Sequence, residues 1–213
     1  MFAGNWNRRH FIAAGLAGCY ALPAVAAAGK TILVLGDSIS AEYGLKRGTG
    51  WVPLLEKRLV AETSGARVVN ASISGETTSG GRSRLPALLD KHKPDILVLE
   101  LGGNDGLRGL PLAMTEDNLS HMTQAAQKAG ARVLLVGIQV PPNYGADYSS
   151  RFAGLYDKVA RKHKAAVVPF MLKGVFDGPE PMRMFQPDRI HPTEAAQPLI
   201  LDTVWPELKK LVK

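Results

Sequence analysis

Thr31-Ile32-Leu33-Val34-Leu35-Gly36-Asp37-Ser38-Ile39-Ser40 begins with five apolar or β-branched residues and then breaks on glycine. A run this short and continuously apolar reads as a strand buried on both faces. Gly36 ends it, which leaves Ser38 just beyond the strand's carboxyl end. The same pattern recurs at Arg67-Val68-Val69-Asn70-Ala71, at Asp95 to Leu101 with Glu100 as its polar exception, at Arg132 to Gly137 and at Ala165 to Val168. Between these runs the apolar spacing changes to that of helices. Trp51 to about Glu62 carries apolar residues at 51, 52, 54, 55, 59 and 60, and Ser83 to Lys91 turns Leu85, Leu88 and Leu89 inward. A third helix is expected from Thr115, where Thr115-Glu116-Asp117-Asn118 offers an N-cap and first-turn acids, and Gly130 ends it. Ser149 to His163 and Glu194 to Lys210 complete the set. Five buried strands alternating with helices predict a parallel sheet covered on both faces. Right-handed crossovers then give a single-domain three-layer α/β/α sandwich over residues 29–213.

Residues 1–28 stand apart from that domain. Arg8-Arg9-His10-Phe11-Ile12 leads into a run of Ala, Gly, Leu and Ile that carries no charge until Lys30. A basic start, an apolar middle and small residues at Ala24-Val25-Ala26 or Ala26-Ala27-Ala28 mark a cleaved export signal, so a periplasmic or secreted location is expected. The paired arginines resemble a twin-arginine signal; a Sec signal carrying two arginines is the alternative. Leu16-Ala17-Gly18-Cys19 resembles a lipobox, which would make Cys19 a lipid anchor instead. Cleavage after Ala28 removes the chain's single cysteine, and with it disulfides and thiol catalysis.

The 213 residues are 46% hydrophobic and 21% charged, as expected of a globular chain, with a formal charge of +7. Loss of the leader takes away Arg8 and Arg9 and no acid, leaving +5. That excess is scattered and lacks the Lys/Arg runs of a nucleic-acid binder; it supports peripheral contact with anionic lipid at most. No obligate protein partner is evident.

Four features fall just past expected strand ends: Ser38, Gly75, Gly102-Gly103-Asn104-Asp105 and Asp188-Arg189-Ile190-His191. Open parallel sheets bind ligands beyond the carboxyl ends of their strands, so residues far apart in sequence are expected to meet in one crevice. There Ser38 needs a base to become a nucleophile, and His191 suits that role near neutral pH. Asp188, three residues earlier, can reach the other imidazole nitrogen and fix its tautomer. The backbone N–H groups of Ser38 and Gly75 and the side-chain amide of Asn104 are available as donors to an oxyanion.

In sequence order, Gly36-Asp37-Ser38-Ile39-Ser40, Gly75 in Ala71-Ser72-Ile73-Ser74-Gly75-Glu76-Thr77, Gly102-Gly103-Asn104-Asp105 and Asp188-Arg189-Ile190-His191-Pro192 resemble the four sequence blocks of the SGNH (GDSL) hydrolases. Leu101 to Gly109 and Pro141-Pro142-Asn143-Tyr144-Gly145 resemble the bacterial periplasmic thioesterase I, lysophospholipase and arylesterase group more closely still. The resemblance spans about Thr31 to Pro198. It implies a flavodoxin-like fold, a Ser38–Asp188–His191 triad, an oxyanion hole of Ser38, Gly75 and Asn104, and hydrolysis of small or lipid acyl esters and thioesters. Glu42 and Arg189 depart from the group's pattern, where small residues or glycine often stand, and they put substrate choice in doubt.

Other readings remain open on the same residues. Ser38 alone would read as a helix N-cap. The same triad serves carbohydrate O-deacetylases, and the same fold would serve a catalytically silent binding protein. Asp37 reads as a local hydrogen-bonding residue, Asp105 as a cap for the segment after the third strand, and Glu100 as a strand residue in a polar network. His92, His121 and His163 lie on helices without zinc-ligand spacing, and the glycines of 102–106 fit no dinucleotide or phosphate-loop fingerprint, so neither metal nor cofactor is expected.

Overall fold

In the computed structural model, which describes residues 1–2, 29–62 and 65–213, the five apolar runs form one parallel sheet. The strands are β1 (Thr31–Gly36), β2 (Arg67–Asn70), β3 (Ile96–Glu100), β4 (Arg132–Val136) and β5 (Ala166–Val168), in the order β2-β1-β3-β4-β5. β1 and β3 are buried along their whole length, which explains their unbroken apolar runs. The leader expected at 1–28, Cys19 included, lies outside the described residues but for Met1 and Phe2.

Helices cover both faces. On one, α1 (Trp51–Glu62) packs against α7 (Gln197–Val212) beside the short α6 (Lys173–Phe176). On the other, α2 (Thr78–His92), α4 (Leu112–Lys128) and α5 (Ala146–His163) pack side by side. Trp51, Phe152 and Tyr156 are the bulkiest fully buried side chains, filling the layers between helices and sheet. The order of β-strands reverses beside β1, so the carboxyl ends of β1 and β3 flank the crevice that such a sheet offers a ligand.

Four helix starts differ from the sequence reading. α2 begins at Thr78, five residues before Ser83, because Thr77 caps it by accepting the Gly80 N–H at 3.4 Å. Its first turn contains two glycines and no large apolar residue, so periodicity could not find it. α4 begins at Leu112, directly behind Pro111, and Thr115 is buried inside it rather than capping it. α5 begins at Ala146 rather than Ser149, and the last helix opens with a 3₁₀ turn, Glu194–Ala196. Short elements that the sequence reading did not anticipate include α6 and a single turn directly after β3, α3 (Gly103–Leu107).

Candidate active site

β1 ends in a tight turn that presents Ser38, closed by the Ala41 N–H to the Asp37 carbonyl (2.9 Å) and the Tyr43 N–H to the Ser38 carbonyl (3.1 Å). Gly36 makes the turn feasible: a Cβ there would stand 2.6 Å from Glu100 Oε2 and 2.8 Å from Ser40 Cβ. Ser38 Oγ lies 2.9 Å from His191 Nε2, and His191 Nδ1 lies 2.7 Å from Asp188 Oδ2. With Asp188 ionised, Nδ1 carries the proton it donates to that carboxylate and Nε2 is free to accept one from Ser38.

The Asp188–His191 turn organises itself. Asp188 Oδ1 accepts the N–H groups of Ile190 (2.9 Å) and His191 (3.0 Å) while Oδ2 holds the ring. Burial pushes the Asp188 carboxyl up, but these donors and the imidazole outweigh it and bring it down to about 2. The turn sits in a hairpin-like segment, where the Gln186 N–H bonds the His191 carbonyl at 2.8 Å and Phe185 pairs with Pro192. Gln186 Nε2 donates to the Tyr43 carbonyl at 2.9 Å, and the Tyr43 ring lies 4.4 Å from that of His191. The serine and histidine turns are thereby joined.

Both residues that depart from the family pattern occupy left-handed backbone, with φ of 60° at Glu42 and 57° at Arg189. Glycine suits such positions because it has no Cβ to crowd the following carbonyl oxygen. Glu42 offsets its strain by accepting the N–H groups of Gly48 (2.8 Å) and Gly50 (2.7 Å), which pins the 42–50 loop. That loop walls a cavity of about 530 Å³ lined by Ala41, Glu42, Arg47, Asn70 and Ser72 among others. The segments 107–112 and 141–148 meet each other through Tyr144 Oη on the Leu107 carbonyl at 2.8 Å.

The three residues expected to supply oxyanion donors follow neighbouring strands: Ser38 follows β1, Gly75 follows β2 and Asn104 follows β3. Among the described residues nothing accepts the N–H of Ser38 or of Gly75. Gly75 holds φ at 79°, and the nearest atom to a Cβ placed there would be Arg108 Nη2 at 3.9 Å. Asn104 Nδ2 donates to Asp37 Oδ2 (3.1 Å) and to the Glu76 carbonyl (3.0 Å). Both amide protons therefore have acceptors, and an oxyanion would have to share one of them.

Asn104 begins a series of ties. Asp105, fully buried, accepts the Thr78 N–H at 2.8 Å and the Thr78 hydroxyl. Arg108 Nη2 donates to the Gly75 carbonyl at 3.0 Å. One helical turn and its C-cap thus grip Gly75, Glu76 and Thr78 in succession. Asp105 was expected to cap its own segment; instead it caps α2 across 27 residues, because the buried first-turn N–H of Thr78 has no partner within its own helix.

Asp37 does more than local bonding. It accepts the Ile39 N–H at 3.1 Å and orients the Asn104 amide. Burial pushes its carboxyl up to about 6, against the lowering pull of Ile39, His191 and Asn104. Glu100 is also buried; it accepts the Ser40 hydroxyl at 2.6 Å and the Asp37 N–H at 3.3 Å. Burial, then the nearby Asp37 charge, pushes Glu100 well above the ordinary range. The structure brings Ser38, His191 and Asp188 into one chain of contacts and sets Gly75 and Asn104 beyond the ends of the neighbouring strands, while the ties made by Asp37, Asp105 and Arg108 were not read from the sequence. The available signal for Asp37 and Asp105 was adjacency, since they directly precede Ser38 and follow Asn104; Arg108, four residues beyond Asn104, carried none.

The arrangement can move a proton from Ser38 to His191 while donors face a developing oxyanion, which is the chemistry of acyl transfer. The model of the GDSL-like Lipase/Acylhydrolase family matches residues 34–198. An esterase TesA of Pseudomonas aeruginosa is 54% identical, covering 92% of this chain and 98% of that protein. A thioesterase 1/protease 1/lysophospholipase L1 of Escherichia coli is 43% identical, covering 88% of this chain and 87% of its own. A crystal structure of TesA, 55% identical, superposes with a TM-score of 0.81 over 85% of this chain and 99% of that one.

Proposed function

The chain belongs to the GDSL-like lipase/acylhydrolase family, and from that membership we propose that it hydrolyses carboxylic esters and thioesters through an acyl intermediate on Ser38. His191 Nε2 takes the Ser38 proton as Oγ attacks the acyl carbon, and Asp188 stabilises the imidazolium that results. The oxyanion is held by the N–H groups of Ser38 and Gly75 and by the Asn104 amide. His191 returns its proton to the departing alcohol or thiol, and then activates the water that releases the acyl group. The observation that carries this reading is the continuous contact from Ser38 Oγ to His191 to Asp188, at 2.9 and 2.7 Å.

The substrates are small acyl esters, aryl esters and lysophospholipids, and the site of action lies outside the cytoplasmic membrane. The leader pattern of residues 8–28 supports export. Among the described residues no helix is long and apolar enough to cross a membrane. An exported enzyme does not meet acyl-CoA as its everyday substrate, since CoA is a cytoplasmic carrier. A panel of p-nitrophenyl acyl esters, acyl-thioesters, lysophospholipids and acetylated glycans tests the substrate class. Turnover of the first three above the glycans is expected. A strong preference for acetylated glycans would replace this reading with O-deacetylation, and no turnover of any would point to a silent binder.

A further inference from the structure

The end of the sheet opposite Ser38 is strongly cationic. Arg67 opens β2; Lys91 and Lys93 lie where α2 runs into β3; Lys128 and Arg132 lie where α4 runs into β4; Lys164 precedes β5. All six are exposed, and none forms an ion pair with a carboxylate among the described residues. They share one edge because parallel crossovers bring every strand's amino end to the same side. The register shows it: the Arg67 N–H bonds the Lys30 carbonyl, the Asp95 N–H bonds Thr31 and the Arg132 N–H bonds Asp95, each at 2.9 Å. With strands about 4.8 Å apart, the row spans roughly 20 Å.

Cations at helix C-termini ordinarily offset helix dipoles, so that effect is subtracted first. Five helices, α1, α2, α4, α5 and α7, end here, each with about half a negative charge, and Lys30 Nζ already bonds the last carbonyls of α7. Asp90 and Asp95 add two carboxylates. Six cations exceed that sum. A second observation separates these lysines from ordinary caps: Lys93 and Lys164 occupy left-handed C-cap positions, with φ of 42° and 52°. Glycine is the favoured residue at such positions. The chain keeps a cation in both places against the conformational preference.

We propose that this edge is a docking surface for an anionic lipid bilayer. No exposed aromatic side chain among the described residues belongs to it, whereas single-stranded nucleic-acid sites interleave cations with stacking rings. A flat charged surface engages a row of cations additively and without a shaped pocket, at about fivefold in affinity per Lys or Arg. Docked this way, Ser38 lies one strand length, roughly 20 Å, from the lipid and faces away from it. The enzyme would then draw its esters from the aqueous side.

Cosedimentation with phosphatidylcholine vesicles, alone or mixed with phosphatidylglycerol, tests the proposal. The wild-type chain and a Lys93→Gly/Lys164→Gly variant carry the same N-terminal segment, so its own contribution cancels. Binding only to the anionic vesicles and its loss at high salt are expected. The double variant should bind about 25-fold more weakly, with unchanged p-nitrophenyl ester turnover and a thermal midpoint no lower than wild type. Equal binding to neutral vesicles, or undiminished binding by the variant, would overturn it. Tighter binding to a single-stranded oligonucleotide than to the anionic vesicles at equal salt would assign the edge to nucleic acid instead.

Discussion

The two halves of the active site are held in opposite ways. On the oxyanion side, Asn104 is oriented by a buried carboxylate, Asp37, and α3 is fastened to the Gly75 loop through buried Asp105. On the acid–base side, Asp188 and His191 sit in a turn whose backbone and side chains bond mainly to one another, near the surface. The difference follows from what each half must do. Oxyanion donors help only if they are fixed before charge develops, and buried ties supply that rigidity. A proton-transferring imidazole needs one partner to set its tautomer and enough solvent contact to exchange protons. The contrast extends to charge: burial pushes Asp37 up to about 6, while hydrogen bonds bring Asp188 down to about 2.

Breaking the acid–base half should have the largest effect. Asp188→Asn presents an amide to His191 Nδ1 and favours the wrong tautomer, so kcat should fall by about 10⁴-fold with KM little changed. Steady-state turnover of a p-nitrophenyl ester reads this directly. A loss below tenfold would mean that another group orients His191. Breaking the oxyanion half should cost less, because two backbone donors remain. Asn104→Ala should lower kcat by about 10²- to 10³-fold, and if it raised only KM, Asn104 would be a substrate contact rather than a transition-state donor.

The smallest of these effects concerns pH and stability. A carboxyl whose folded pKa is raised holds its proton when the unfolded chain has lost it, so stability falls as pH rises between the two values. For Asp37 that window runs from its ordinary 3.8 to about 6. Asp188 behaves oppositely: its contribution is present above its ordinary 3.8 and is lost as pH falls toward about 2. Unfolding wild type and Asp37→Asn across pH 4 to 7 should therefore show the variant gaining on wild type by up to about 3 kcal/mol. A constant difference across that range would show that Asp37 keeps its ordinary value in the fold.

How much of this was legible in the sequence depended on the kind of force involved. The strands were, because burial on both faces requires apolar runs, as in Ile32 to Leu35. The meeting of Ser38, Asp188 and His191 was expected too, because they are the residue types acyl transfer requires, although Asp188 and His191 come twenty residues or more after β5, beyond α6. The start of α2 at Thr78 was not, since it is set by a cap on Thr77 and by Asp105 bonding across a gap of 27 residues. Asp37 as the acceptor for Asn104 was hidden for the same reason: a contact spanning 67 residues leaves no local pattern. Glu42 and Arg189 were marked as departures from the family, but only backbone angles revealed the shared cause in left-handed conformation.

The measurement that bears most directly on this account is the turnover of a p-nitrophenyl acyl ester by wild type and by Ser38→Ala, with folding of both verified by circular dichroism. Removal of the nucleophile from an intact triad and oxyanion set should lower kcat by about 10⁶-fold. Turnover by folded Ser38→Ala within tenfold of wild type would contradict acyl transfer through Ser38.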